Sequence, residues 1–316
     1  MALTLAITGA SGFLGRACVG VALARGHRVR ALTRRPAEFP ESVEAIALDL
    51  ADPHAPLATA LDGVDAVIHA AAALRGGDAA HRRDTLQATA NLLAALDGAA
   101  PDARLVLVSS IAVYNATARE ITEDTPLEPL PGDRDAYARA KLAQEALLAE
   151  TSREAWIARP GFIYGPGHVW NAHLGLRLGP LLLRFAGKGQ IPLVCLGSCA
   201  DALVMAAARP VPLAGQRALN LVESDLPDAR RYLRLIGPMA PRWQLPAPVW
   251  PLALSGQALG LAPPLRRRLP GLLQPRTLKA RFGAKSYSNA RAADDLAWVP
   301  RQPLENALHA AVEASR

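Results

Sequence analysis

Apolar runs alternate with helix-like segments along the first half of the chain. The runs LTLAIT, HRVRALT, EAIALDL, DAVIHAAA, ARLVLVSS and AWIARPGFIYG each indicate one buried strand. Between the first two, GRACVGVALARG has the pattern of a helix, with Gly26 near its end. Strands separated by helices predict βαβ units and a parallel sheet buried on both faces. The pattern therefore predicts an α/β fold built on a doubly wound parallel sheet.

Beyond about Gly167 the pattern weakens, because proline and glycine interrupt it repeatedly. We predict a first domain over residues 1–167 and a smaller, mostly helical lobe over residues 168–316, with some of its segments returning to the first domain. The apolar segment 245–265 is broken by prolines, so a transmembrane helix, which needs ~20 mostly apolar residues, is not expected. Arg266, Arg267 and Arg268 follow it and indicate a solvated turn, with weak contact to a membrane surface as the alternative.

Composition limits the class of protein. Hydrophobic residues make up 51% of the 316 residues, which is enough for a full core. The net charge of +7 comes from dispersed cations with no aromatic-rich basic motif, so no nucleic acid partner is expected. Three cysteines form no disulfide framework and no metal set, and the N-terminus runs directly into a first strand. We therefore expect a cytoplasmic protein without a bound metal.

The segment TGASGFLG, residues 8–15, lies between the first strand and the first helix. In this context Gly9 permits a tight turn, Gly12 lets the backbone approach a pyrophosphate, and Gly15 allows close packing of helix on strand. The start of the helix then offers free N–H groups to the phosphates. We therefore predict that residues 1–167 form an NAD(P)-binding Rossmann domain.

The end of the second strand, ALTRRP, indicates which cofactor is preferred. A preference for NAD commonly places an acidic residue there, whereas an arginine accommodates the 2′-phosphate of NADP. Arg34 and Arg35 occupy this position without an acidic neighbour. NADP(H) is therefore favoured and NAD(H) remains the alternative. Asp49, after the third strand, is expected near the adenine.

Tyr137 and Lys141 are four residues apart in DAYARAK, so on a helix they share one face. Ser110 follows the fifth strand, and the carboxyl ends of such strands form the ligand crevice. A nearby ammonium lowers the pKa of a phenol, so Lys141 is expected to lower that of Tyr137. Tyr137 could then exchange a proton with a carbonyl or alcohol oxygen, to which Ser110 also hydrogen-bonds.

These motifs resemble those of the extended short-chain dehydrogenases/reductases, also called the NAD-dependent epimerase/dehydratase family. The similar segments are TGASGFLG, LDLAD, HAAA at 69–72, SSIAVY at 109–114, YARAK at 137–141, RPGFIYGPG at 159–167 and SNARAADDLAWVPRQPLENAL near the C-terminus. The resemblance covers nearly the whole chain. One departure is Thr85, which stands where the family usually has an asparagine.

The resemblance implies the site residues. Ser110, Tyr137 and Lys141 would be the catalytic set. The implied cofactor-binding set comprises Gly9, Ser11, Gly12, Phe13, Leu14, Gly15, Arg34, Arg35, Asp49, Leu50, Ala70, Ala71, Ala72, Tyr137, Lys141 and Pro160. No metal ligand is expected.

Three functions fit these residues. The first is an NADP(H)-dependent oxidoreductase that acts on a carbonyl or alcohol, and the apolar segments 176–186 and 249–261 favour an apolar small-molecule substrate. The second is a nucleotide-sugar epimerase. The third is an NADP(H)-binding sensor or scaffold without catalysis. Ile111 and Ala112 stand where family dehydratases carry Asp-Glu, which argues against sugar dehydration. A homodimer is compatible with each.

Overall fold

The computed structural model describes residues 2–185, 189–260 and 273–316. A seven-stranded, wholly parallel sheet forms its centre, in the strand order β12-β7-β5-β4-β1-β2-β3. The strands are β1 Thr4–Thr8, β2 Arg28–Thr33, β3 Val43–Ala47, β4 Ala66–His69, β5 Arg104–Val108, β6 Glu120–Ile121, β7 Ala155–Pro160, β8 Phe162–Tyr164, β9 Gly175–Leu178, β10 Leu181–Arg184, β11 Leu193–Cys195, β12 Gln216–Leu221, β13 Trp243–Pro246 and β14 Ser286–Tyr287. The predicted doubly wound α/β class is confirmed.

Helices cover both faces of this sheet. The helices that the structure describes are α1 Phe13–Ala24, α2 Leu57–Leu61, α3 Asp78–His81, a π-helical turn Arg82–Gln87, α4 Ala88–Ala99, α5 Ala136–Ala149, α6 Leu196–Ala207, α7 Ala229–Leu235, α8 Trp250–Gly260, α9 Pro275–Phe282, α10 Ala290–Leu296 and α11 Leu304–Glu313. Helices α1, α6 and α10 bury apolar side chains against one face. Helices α2, α4 and α5 do so against the other. The inner strands β1, β4, β5 and β7 are therefore almost wholly buried, as their continuous apolar runs predict, whereas the edge strand β3 is largely exposed.

The sequence predicts one strand over AWIARPGFIYG, but the structure divides it at Gly161. Strand β7 belongs to the main sheet, whereas β8 pairs with β11 in a separate two-stranded sheet. The Gly161 N–H still bonds Leu221 O, but the Phe162 N–H bonds Pro192 O. A Cβ on Gly161 would lie 2.8 Å from that same Pro192 oxygen, so the absence of a side chain permits the change of partner.

The segments after residue 167 form small sheets and also complete the main one. Strands β9, β10 and β13 make a three-stranded sheet, and β6 pairs with β14. Strand β12 forms an edge of the central sheet. The division at residue 167 remains a prediction. The prediction for Arg266, Arg267 and Arg268 concerns residues outside those that the structure describes.

No helix among the described residues combines the length and the apolar character needed to cross a membrane.

A buried ion pair fixes α5 to the sheet. Arg159 on β7 donates to both carboxylate oxygens of Glu145 on α5, at 3.0 and 2.6 Å. The Ser109 hydroxyl also donates to Glu145, and Arg159 donates to the Tyr114 hydroxyl at 3.0 Å. A two-pronged contact of this kind restricts orientation as well as distance. The helix that carries Tyr137 and Lys141 is thereby held against the ends of β5 and β7.

Candidate active site

The glycine loop connects β1 to α1. Gly9 has φ +65°, which favours glycine, and its carbonyl accepts the Gly12 N–H at 2.9 Å. Gly12 caps α1 without a side-chain hydrogen bond, so the first N–H groups of α1 have no side-chain acceptor. A Cβ on Gly15 would overlap the Gly9 oxygen and lie 2.7 Å from Ala10 Cα. Free N–H groups on a close backbone turn fit the pyrophosphate of a dinucleotide.

One cavity of about 1260 Å³ lies along the carboxyl ends of the strands. This exceeds the usual range of roughly 300–1,000 Å³ for small-molecule sites, so it has room for a dinucleotide and a substrate together. Of the predicted site residues, Arg35 is exposed and lies outside the lining. The others line the cavity: Gly9, Ser11, Gly12, Phe13, Leu14, Gly15, Arg34, Asp49, Leu50, Ala70, Ala71, Ala72, Ser110, Tyr137, Lys141 and Pro160.

Arg34 lines the cavity and pairs with an acidic residue that is distant from it in sequence. Its Nη1 is 3.1 Å from Asp84 Oδ2, and Asp84 lies fifty positions further along, in the π-helical turn. Arg83 bonds both Asp49 and Asp84. Burial acts to raise the pKa of Asp49, but the Ala51 N–H and Arg83 outweigh it and keep that pKa below its usual value. Arg34 therefore reaches the cavity as part of a network of two cations and two carboxylates.

Ser110, Tyr137 and Lys141 meet where β5 ends. Asp135 caps α5 by accepting the Ala138 N–H at 2.9 Å, and this fixes the turn that carries Tyr137. The Tyr137 hydroxyl is hydrogen-bonded with Ser110. Lys141 Nζ donates to Val108 O at 2.7 Å and to Gln144 Oε1 at 2.9 Å. The structure thus brings the three predicted catalytic residues to one wall of the cavity.

The pKa values at this wall differ from the sequence prediction. Burial raises the pKa of Tyr137, and the hydrogen bond with Ser110 opposes that rise only in part. Lys141 does not lower it here, because its ammonium is directed to Val108 O and Gln144. Burial lowers the pKa of Lys141 to about 8, against the opposing field of Glu145. Tyr137 is therefore a neutral phenol near pH 7 and retains a proton to donate.

A buried chain of hydrogen bonds runs from Lys141 to the glycine loop. Gln144 Nε2 donates to Thr89 Oγ1 at 2.8 Å, and Thr89 Oγ1 donates to Thr85 O at 2.7 Å. With its hydrogen so placed, Thr89 accepts from His69 Nε2 at 2.9 Å.

The direction fixed at Thr89 also fixes the donors and acceptors of the next hydrogen bonds in the chain. His69 Nδ1 accepts from Thr8 Oγ1 at 2.8 Å, and Thr8 accepts the Ala71 N–H at 3.1 Å. Burial, reinforced by Lys141, lowers the pKa of His69 to about 3, so the ring is neutral. The chain orients Lys141 relative to the ends of β1 and β4.

Gln144 and His81 were missed by sequence reasoning. Gln144 lies three residues after Lys141 on the same helix, a spacing that could have linked the two. The His81 ring lies 6.4 Å from that of Tyr137, edge to face, and lines the cavity. His81 Nδ1 is buried without a hydrogen-bond partner. No local signal in the sequence pointed to His81.

The apolar segments 176–186 and 249–261 do not supply the cavity wall among the described residues. Leu182 instead belongs to the core of the smaller sheets. Ile111, Phe162 and Ile163 are among the apolar side chains that line the cavity instead.

The sheet, the glycine loop and the cavity together define an NAD(P)-dependent oxidoreductase of the extended short-chain dehydrogenase/reductase type. The model of the NAD dependent epimerase/dehydratase family matches residues 5–221. The chain belongs to this family.

Two relatives and one solved structure show what this chain is similar to. The chain is 30% identical over 319 residues to a 3-diazoavenalumate denitrifying reductase of a Streptomyces species, covering 94% of this chain and 96% of the relative. It is 32% identical over 235 residues to a ceramide reductase of Caulobacter vibrioides, covering 72% of this chain and 65% of that protein. The structure of MoeE5 in complex with UDP-glucuronic acid and NAD matches with a TM-score of 0.72 and 21% identity over 99% of both chains. At this identity the structural match shows the fold.

Proposed function

We propose that the protein is an NADP(H)-dependent oxidoreductase that reduces a ketone or aldehyde, or oxidises the matching alcohol, of a largely apolar substrate. The observation that carries this proposal is the placement of Ser110, Tyr137 and the buried Lys141 together along one wall of the cavity. A bound nicotinamide would supply the hydride. Tyr137 would donate a proton to the carbonyl oxygen, and Ser110 would hold that oxygen in place.

The raised pKa of Tyr137 supports reduction as the direction. A general acid must carry its proton at working pH, and a buried neutral phenol does so. The side chains of Ile111, Phe162 and Ile163 support an apolar substrate body. Two curated relatives are reductases by name, and one of them matches along 94% of this chain.

A nucleotide-sugar epimerase is the second candidate. One solved structure of the same fold holds UDP-glucuronic acid with NAD. An epimerase returns the hydride to its own substrate, so it needs no exchange of cofactor. The pair Ile111 and Ala112 after Ser110 argues only against dehydration.

A substrate panel tests these candidates. Ketones and aldehydes are scored by loss of NADPH absorbance, and UDP-sugars are scored in parallel for epimerisation. We expect NADPH consumption by apolar carbonyl compounds and none by the Tyr137→Phe protein. Conversion of a UDP-sugar without net change in the cofactor would establish the epimerase instead.

We predict a preference for NADPH over NADH of about 10–100-fold, because a charge-assisted contact is worth about 1.5–3 kcal/mol. Arg34→Ala should abolish the preference. Asp84→Asn should increase it, because it removes the carboxylate that pairs with Arg34. Dissociation constants of both cofactors for the three proteins measure this. Equal affinities in the unmodified protein would contradict the prediction.

A further inference from the structure

The three-stranded sheet of β9, β10 and β13 has one wholly apolar face. Its register aligns one residue from each strand in a row across the sheet. Two such rows lie on the same side, because residues two apart on a strand share a face. The two rows, together called the outer face, are Leu178, Leu181 and Trp243, and then Leu176, Leu183 and Leu245.

The outer face is turned to solvent although it is apolar. Leu178 is 50% exposed, Trp243 56% and Leu245 54%. On the opposite side of the sheet, Leu182 is fully buried in the core. A sheet that is buried on one side usually presents polar residues on the other. A continuous apolar surface of this kind marks contact with a partner or a membrane.

Helix α8 adds exposed apolar side chains close to the outer face. The pairing of β13 with β10 extends to the Ala247 N–H, which donates to Arg184 O at 3.0 Å, and α8 begins shortly afterwards at Trp250. Trp250 and Leu254 lie one turn apart on the same side of α8 and are 63% and 54% exposed. Exposed tryptophan side chains are typical of the boundary between a membrane and water.

Two cations stand at the edges of the outer face without a carboxylate partner. Arg177 on the edge strand β9 stacks over the Trp170 ring at 5.0 Å, and its Nε donates to Gly179 O at 3.3 Å. Arg242 directly precedes the other edge strand, β13, and stacks over the Trp243 ring at 5.6 Å. Neither forms an ion pair with a carboxylate within the part of the chain that the structure describes. Both positive charges are therefore available to a negatively charged surface.

The sequence that builds this region contains no acidic residue. Residues 155–200 supply β9 and β10, and residues 229–293 supply β13 and α8; all 28 acidic residues of the chain lie outside these two segments. Two identical outer faces in contact would bring like charges together. Anionic lipid headgroups would instead meet Arg177 and Arg242, while the apolar side chains enter the interfacial layer. Charge thus favours a lipid surface over a second copy of this chain.

We propose that the outer face, flanked by Arg177 and Arg242, lies on the surface of an anionic lipid membrane. The leucine and tryptophan side chains would occupy the boundary between headgroups and acyl chains, and the two arginines would contact lipid phosphates. The attachment would be to one leaflet, without a span. This inference goes beyond the proposed function and is independent of it, because binding to lipid is measured without substrate or turnover.

Vesicles of two compositions test the inference. Binding of the full chain is measured by co-sedimentation with vesicles of phosphatidylglycerol and phosphatidylcholine in equal parts, and with vesicles of phosphatidylcholine alone. We expect binding to the anionic vesicles to be at least about tenfold tighter, as several cations near such a surface imply. High salt should weaken it, because mobile ions screen exposed charges.

Substitutions locate the contact. The double variant Leu178→Asn with Leu245→Asn should fold, since both side chains are half exposed, and should bind anionic vesicles at least about tenfold more weakly. Arg242→Gln should weaken that binding about fivefold, the equivalent of about 1 kcal/mol for one cation near an anionic surface. Leu213→Asn is the matched control: Leu213 is 64% exposed, lies between α6 and β12 and is outside the outer face, so its loss should leave binding unchanged.

The outcomes decide the assignment. Absence of binding, equal binding to both kinds of vesicle, or a loss in Leu213→Asn as large as in the double variant would overturn the membrane contact. A dimer in light scattering that the double variant abolishes, in a protein that does not bind vesicles, would assign the outer face to a second copy instead. Anionic vesicle binding that depends on Leu178, Leu245 and Arg242 would support the proposal, whichever reaction the cavity performs.

Discussion

The Tyr137→Phe variant is expected to lose turnover by about 10²–10⁴-fold, the usual contribution of a general acid. The substitution removes one hydroxyl, and with it the proton donor and the hydrogen bond with Ser110. The ring remains, so its edge-to-face contact with His81 should persist. Cofactor affinity should therefore change little. Single-turnover rates with saturating NADPH and the substrate found by the panel measure the effect.

The role of Lys141 is tested by the pH dependence of the reduction rate, measured for the unmodified protein and for Lys141→Met. Since its pKa is about 8, the ammonium is present below that pH and is lost above it. Because Lys141 belongs to the implied cofactor-binding set, loss of this charge should weaken cofactor binding, and the rate of reduction at subsaturating NADPH should fall above about pH 8 in the unmodified protein. In Lys141→Met the rate should be lower throughout, and the fall should move to higher pH, where Tyr137 itself ionises. A Tyr137→Phe protein with near-normal turnover would overturn the mechanism, even with the fold unchanged.

Gly15→Ala is expected to destabilise the protein by about 1–3 kcal/mol or more, the usual cost of overpacking. Its Cβ would overlap the Gly9 carbonyl oxygen and press on Ala10, so α1 must move away from β1. The first N–H groups of α1 would move with it. Cofactor affinity should then fall at least about tenfold, because one lost charge-assisted contact is worth about 1.5–3 kcal/mol. Chemical denaturation and cofactor titration measure the two effects.

Gly20→Ala is the control on the same helix. A Cβ on Gly20 meets no atom within 4 Å, and the residue is exposed in the middle of α1. The same chemical change should therefore stabilise the protein by about 0.4–1 kcal/mol and leave cofactor affinity unchanged. Loss of cofactor binding in both variants, or in neither, would contradict the role given to Gly15.

The first five strands and the first helix were predictable because each has a local signal. An apolar run of strand length followed by a glycine loop and a helical pattern specifies β1 and α1 from neighbouring residues alone. The meeting of Ser110, Tyr137 and Lys141 at one site could also be predicted, because the carboxyl end of a strand and the helix that follows it face the same crevice.

Features that depend on distant partners were not predictable in this way. The division at Gly161 is set by Pro192, and β12 takes its place beside β7 although its sequence lies in a region of weak pattern. Asp84, which pairs with Arg34, lies in the π-helical turn, far from Arg34 in sequence. The pKa of Tyr137 depends on burial, which the pair Tyr137 and Lys141 does not reveal in sequence. In each case a long-range contact decided what local propensity left open.

The buried chain through His69 has a consequence for proton conduction. At one end stands the Ala71 N–H, which can only donate, and at the other Thr85 O, which can only accept. Every hydrogen between them is therefore held in one direction, and a hopping proton would need the reverse arrangement. The chain therefore orients Lys141 but cannot conduct a proton to it. A proton that Tyr137 gives up is therefore not replaced along this chain, whose ends are the Ala71 N–H and Thr85 O.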